Sequence, residues 1–202
     1  MHKIMSSILS VLIVSSMYCS RTKTIPEKDM EMIQKIITET SSSMQSGMMK
    51  EVLSQVEKNG YAASVSYCSD FAPKGGKTIN EKLKEKFISD HGIRDFKFRR
   101  TSLKYRNPKN APDEFENKIL SAWESEEAAG KKAEKITEIT PSGYRILVPV
   151  RIPMKTCLGC HGTPDTMDAG AKKIIDEIYP ADKAVGFKEG DLRGAVSITI
   201  EK

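Results

Sequence analysis

Cys157-Leu158-Gly159-Cys160-His161 constrains this 202-residue chain more than any other stretch. Two thiols three positions apart can each add to a vinyl group of a haem and form thioethers. The next residue, His161, is then held under the iron and offers its imidazole as a ligand. Other chemistries compete for the same residues. A CxxC can be half of a zinc site, which Cys68 and His91 could complete. It can be a redox dithiol, although that needs a thioredoxin-like βαβ setting, which the pattern here lacks. It can also close as a tight structural disulfide. The spacing, with its trailing histidine, favours covalent haem c.

The N-terminus agrees, because covalent haem is attached outside the cytoplasm. Met1-His2-Lys3 is a short basic start, and Ile4 to Tyr18 is an apolar and small-residue run too short for a stable membrane anchor. The run ends at Cys19. A cysteine there resembles the bacterial lipoprotein signal, in which that residue is lipidated after cleavage. Ser16-Met17-Tyr18 departs from the usual small residues before the cut, and an ordinary secretory signal is the alternative. The expected organisation is a signal peptide of lipoprotein type over 1–19, a spacer over 20–27 and one domain over 28–202. Hydrophobic residues at 39% and charged residues at 29% suit a soluble globular domain. The net charge of +5 is spread among interleaved acids, as in Asn80 to Lys86, so no basic stripe marks a nucleic-acid surface.

Pro26, Glu27 and Asp29 make a good helix start. Met30, Ile33, Ile37, Met44, Met48, Val52 and Val56 then recur at helical spacing until Asn59-Gly60. Ser41 to Ser43 and Gly47 weaken the middle, so the run is one long helix or two. Its methionines read as adaptable core packing. Val65, Cys68 and Ala72 share a helical face, and Pro73-Lys74-Gly75-Gly76 is expected to break it. Ile79, Leu83 and Phe87 mark another helix closed by Gly92. Phe96 and Phe98 alternate as a strand expected to lead through Leu103 to Tyr105. After a loop over 106–112, Pro112-Asp113-Glu114 opens a helix with Phe115, Ile119 and Trp123. Ile136 to Thr140, a turn at Pro141-Ser142-Gly143, and Tyr144 to Ile152 read as a hairpin. A helix over Ala169 to Ile178 and a last strand through Val196, Ile198 and Ile200 complete an α+β domain around an antiparallel sheet.

Cys68 is the thiol left over once Cys19, Cys157 and Cys160 are assigned. It is either an inert buried side chain or a ligand to the iron. His91 reads as a helix-end residue, since a cation suits the C-terminal dipole. Met154 and Met167 lie too close in sequence to His161 to reach the opposite haem face. Arg106 and Asn107 are candidates to hold haem propionates, because Arg pairs with carboxylates bidentately. The alternative is a turn in which Asn107-Pro108 only sets the backbone.

Four blocks, in order, carry a family resemblance: Ser64 to Cys68, Arg100 to Asp113, Cys157 to Gly162, and Gly186 to Ile198. Together they are similar to the PAS-like c-type haem domain family, with Arg106-Asn107-Pro108 the most distinctive stretch. The resemblance covers roughly residues 28 to 202. It implies a PAS-like antiparallel sheet with flanking helices and a long N-terminal helix. It also implies one haem c held by Cys157 and Cys160, with His161 and Cys68 as axial ligands.

The expected function is electron transfer or redox sensing in the periplasm or cell envelope, at a membrane if Cys19 is lipidated. The alternative is a sensor in which a diatomic gas such as NO or CO displaces the sixth ligand. A peroxidase-like enzyme ranks last, for want of a distal acid–base constellation. Haem is the expected partner, together with a redox or signalling protein that the sequence does not identify.

Overall fold

A strand edge needs a neighbour, and in this chain the last strand supplies two. The structure is a computed structural model and describes residues 24–70 and 72–202. The expected signal segment and Cys19 lie outside the described residues. Four strands, β1 (Asp95–Thr101), β2 (Ile136–Thr140), β3 (Gly143–Arg151) and β4 (Leu192–Glu201), form one antiparallel sheet in the order β1-β4-β3-β2.

Alternation sorts the strands into two faces. Phe96 and Phe98, Tyr144 and Ile146, and Val196, Ile198 and Ile200 share one core. Two helices, α1 (Glu27–Met44) and α3 (Ala72–His91), cover it with Met32, Ile33, Ile36, Ile37, Leu83 and Phe87. Leu147 and Ala195 point to the other face. There they meet Leu120 and Trp123 of α4 (Glu114–Ala128). This is the expected α+β architecture of an antiparallel sheet with flanking helices.

Glu27 to Asp70 is the long N-terminal helical stretch. A π-helical turn, Gln45–Met49, joins α1 to α2 (Lys50–Asp70), in the region that Ser41 to Ser43 and Gly47 weaken. Gly60 breaks α2, with φ 78° and ψ 174°, a conformation that excludes side chains. The Ser64 hydroxyl donates to the Gly60 carbonyl across the break at 2.9 Å. Residues 61–70 are thereby set off from the first part of α2. They pack on α6 (Ala169–Ile178) through Tyr61, Val65, Ala171 and Ile175.

Three sequence expectations need correction. The expected break falls before Pro73-Lys74-Gly75-Gly76, since α2 ends at Asp70; the four residues are themselves helical and lie in the first turns of α3, where the missing proline N–H leaves no bond unmade. The first strand stops at Thr101 rather than Tyr105, because Ser102 turns its backbone N–H to the Asn110 carbonyl. Met30 is 51% exposed, and the buried stripe of α1 runs through Met32, Ile33, Ile36, Ile37 and Thr40 instead. Among the described residues, no helix is long and apolar enough to cross a membrane.

Candidate functional site

Past the end of β3, the chain makes a 3₁₀ turn at Lys155–Cys157 and a four-residue helix, α5 (Leu158–His161). So short a helix bonds only its first carbonyl within itself, through the C-cap N–H, and the others must find partners elsewhere. All four are satisfied. Leu158 O accepts from Gly162 N at 2.8 Å, Gly159 O from Asp168 N at 3.0 Å, and His161 O from Phe187 N at 3.0 Å. Cys160 O accepts from the Arg106 guanidinium at 2.6 Å. The turn is therefore fixed by three distant segments.

The side chains of this turn sit on a seam. Cys157 packs with Ile152, Ala184 and Phe187, and Cys160 with Tyr61, Val65, Ala171 and Ile175. Gly159 is buried between them, and a Cβ there would lie 2.3 Å from the Tyr61 ring. Both cysteines are free thiols. Burial pushes the Cys157 thiol up and the Cys160 thiol to about 11, the latter against the opposing pull of Arg106.

His161 donates Nδ1–H to the Ala184 carbonyl at 2.8 Å. A carbonyl can only accept, so the tautomer is set and the Nε2 lone pair is left free. Burial, reinforced by Arg193 and Arg106, holds the imidazole pKa well below its ordinary value, so the ring is neutral. Phe187 meets the His161 ring edge-on, with centroids 6.4 Å apart. Lys104 and Arg193 stand over Phe187, each 5.2 Å from its centre.

Cys68 reaches the same region from the segment of α2 beyond Gly60. It is half-buried and free, and within electrostatic reach of Cys160, Arg100, Arg106 and Tyr179. Burial raises its pKa, while Arg100 and Arg106 oppose the rise. Cys68 thus lies within the electrostatic surroundings of Cys160 in the Cys157–His161 turn. His91 is elsewhere, at the end of α3 against Phe87. Among the described residues, no group of three His, Cys, Asp or Glu side chains is placed to hold a metal ion by itself.

Arg106 and Asn107 build the site from behind. The Arg106 side chain is 14% exposed; it pairs with Asp182 at 3.0 Å and donates to the carbonyls of Cys160 and Ala184. Asp182 in turn accepts from Ala184 N at 2.8 Å, which steadies the carbonyl that holds His161. Asn107 caps the 3₁₀ turn Pro108–Asn110, its side-chain oxygen accepting from Lys109 N at 3.0 Å.

A model of the Tll0287-like family matches residues 22–201. The chain belongs to the Tll0287-like family. Its fold matches the crystal structure of the cyanobacterial heme-protein Tll0287 with a TM-score of 0.55 and 22% identity, over 88% of this chain and 98% of that one. No curated protein matches. The PAS-like family read from the four sequence blocks is therefore supported by both sequence and fold. Several residues of this Tll0287-like site carried no sequence signal of their own. Tyr61, Tyr179, Asp182 and Ala184 lie outside the four blocks, and their roles arise from contacts between segments far apart in the chain. Arg100, Phe187 and Arg193 lie within the blocks, which is the signal that could have singled them out.

Proposed function

We propose that this chain is an exported c-type haem protein that works by one-electron redox change in the cell envelope, and not as an enzyme. The observation that carries the reading is His161, a neutral imidazole whose Nδ1–H is anchored on Ala184 and whose Nε2 is free for a metal. The donor set fits a haem. Cys157 and Cys160 are neutral free thiols on one short turn, and Cys68 offers a third thiol from another element. Arg100 adds a desolvated cation in the same surroundings. The matched solved structure is described as a heme-protein, which supports the same cofactor here.

In this reading Cys157 and Cys160 would hold the group as thioethers, and His161 and Cys68 would be the side chains that bind its iron. When bound, the haem supplies an iron that takes up and releases one electron. The chain's own residues do the rest. Ala184 orients the imidazole and raises its basicity as a ligand. Arg106 acts as a positioning residue, holding the Cys160 carbonyl and, through Asp182, the 182–184 loop. Asn107 fixes the turn that follows Arg106. We also propose that residues 1–19 direct export and that Cys19 is lipidated; the intact mass of the native N-terminus reads this directly.

The test is extraction with acidified ketone followed by a pyridine haemochrome spectrum. Haem is expected to stay with the protein and give a two-thioether spectrum. Haem leaving into the organic phase sinks the covalent reading. For Cys68, electron paramagnetic resonance of the ferric protein is expected to show a low-spin thiolate signal that Cys68→Ser abolishes. An unchanged signal in that variant removes Cys68 from the ligand set.

A further inference from the structure

Three guanidinium groups act on His161: Arg193, Arg106 and Arg100. Two of them are already engaged. Arg106 is paired with Asp182 and bonded to the carbonyls of Cys160 and Ala184. Arg193 donates to the Ser102 hydroxyl at 3.0 Å and the Lys104 carbonyl at 2.9 Å, and lies over Phe187. Arg100 has no hydrogen bond or ion pair among the described residues.

Its place in the sheet says what it faces. Alternation along β1 puts Arg100 on the same face as Phe96 and Phe98. Across the sheet it pairs with Val196, and Val196 with Val148. The two preceding rows, Phe96-Ile200-Tyr144 and Phe98-Ile198-Ile146, are buried under α1 and α3. In the third row Val196 is still buried, but Val148 is half-buried and Arg100 is accessible. The helical cover ends there, and Cys68 and Tyr179 are the groups that approach Arg100 electrostatically.

Arg100 is nonetheless desolvated, and the loss of water pushes its pKa down. An accessible side chain that protein surrounds on most sides lies on the wall of a concavity. On its other side it borders a cleft of ≈ 550 Å³ that includes Lys77, Lys97 and Lys109 and none of Cys68, Cys157, Cys160 or His161. The acids of that cleft are engaged, Glu81 with Lys77 and Asp95 with Lys84. A desolvated guanidinium without an anion is costly, and a planar carboxylate can satisfy it with two parallel hydrogen bonds.

We propose that Arg100 is the carboxylate-binding residue of the site and pairs bidentately with a propionate of the bound haem. This rests on the haem reading above. It moves the propionate role from Arg106, whose donors serve Asp182 and the motif backbone, to Arg100 on the strand that precedes the same loop. The competing partner is the Cys68 thiol in its ionised form, and the experiment separates the two.

Haem-loaded wild type, Arg100→Gln and Arg100→Lys are compared by resonance Raman of the propionate bending band, ferric electron paramagnetic resonance and redox titration. Arg100→Gln is expected to shift the propionate band and leave the ferric signal unchanged. Losing a cation near the iron favours the ferric state, so the equilibrium should move about tenfold toward it, about 59 mV for one electron. Arg100→Lys, which keeps the charge without the fork, should restore most of the potential but not the band. An unaltered band with an altered ferric signal assigns Arg100 to Cys68 and overturns the proposal. So does a variant identical to wild type in all three readouts. Wild-type protein that carries no haem brings down the haem reading together with this one. Loaded wild type beside an indifferent Arg100→Gln brings down this one alone.

Discussion

Gly159 shows how much one missing side chain can do. The Tyr61 ring fills the space where a Cβ would sit, with Cε1, Cζ and Cδ1 all within 2.8 Å of that position. Gly159→Ala is expected to destabilise the protein by about 1–3 kcal/mol in urea unfolding, since overpacking of a tight site costs that much. Tyr61→Ala should relieve the clash, so the double variant should lose less than the sum of the singles. Simple additivity would place the strain elsewhere. At this scale the sequence exposes only what local covalent chemistry dictates. Cys157, Cys160 and His161 are readable because their spacing has a mechanical reason. Gly159 is a free position within that spacing, and its requirement comes from a tyrosine on a different helix. Arg106 reads as a carboxylate partner and does hold a carboxylate, but that of Asp182, 76 residues away. Nothing local announces such a pair.

Elements are more visible, because their signals are periodic and local. The hairpin of β2 and β3, the turn between them and the span of α6 follow the alternation and capping residues closely. The first turns of α3 do not, since proline and two glycines give the same signal for a break and for a tolerated start. Helix α4 shows what such an end can recruit. Asp113 and Glu116 form a reciprocal capping box, and the fully buried Glu116 also pairs with Arg99 of β1 and Arg145 of β3. One carboxylate thus caps a helix and ties it to the back of the sheet. Glu116→Ala should cost about 3–5 kcal/mol, the range for leaving charged partners of a buried pair uncompensated. Glu116→Gln keeps the cap and should lose less. Urea midpoints at constant slope measure both, and a loss below about 1 kcal/mol for the alanine would show that water substitutes for the acid.

The whole molecule is tied end to end by a buried acid. Asp29 in α1 accepts the Tyr144 hydroxyl of β3 and holds the Lys202 ammonium at 2.7 Å from both of its oxygens. The Lys202 and Tyr144 hydrogen bonds lower the Asp29 pKa, against burial. Burial, then Asp29, pushes Tyr144 up to about 12. The two shifts act at opposite ends of the pH scale. A lowered acid contributes stability above its unfolded pKa of about 3.9 and loses it as pH falls through the folded value. A raised phenol contributes fully below about 10 and loses it as pH rises toward about 12. Stability should therefore fall on both flanks. Tyr144→Phe is expected to flatten the alkaline one and Asp29→Asn the acid one, as read by denaturant midpoints across pH. An unchanged alkaline flank in Tyr144→Phe would assign that loss to other groups. This network joins residues 29, 144 and 202, which no sequence window contains. Strand order is hidden for the same reason: alternation marks β3 and β4 alike, and only the near-continuous burial from Gly194 to Ile198 marks β4 as central. Central placement of the last strand also orders events in time. Until residues 192–201 have been synthesised, β1 has no neighbour and β3 has only β2, so the sheet cannot close. The Cys157–His161 turn is made earlier. Its thiols and imidazole thus remain reachable on an unclosed chain until the final strand slides between its partners and ends that interval.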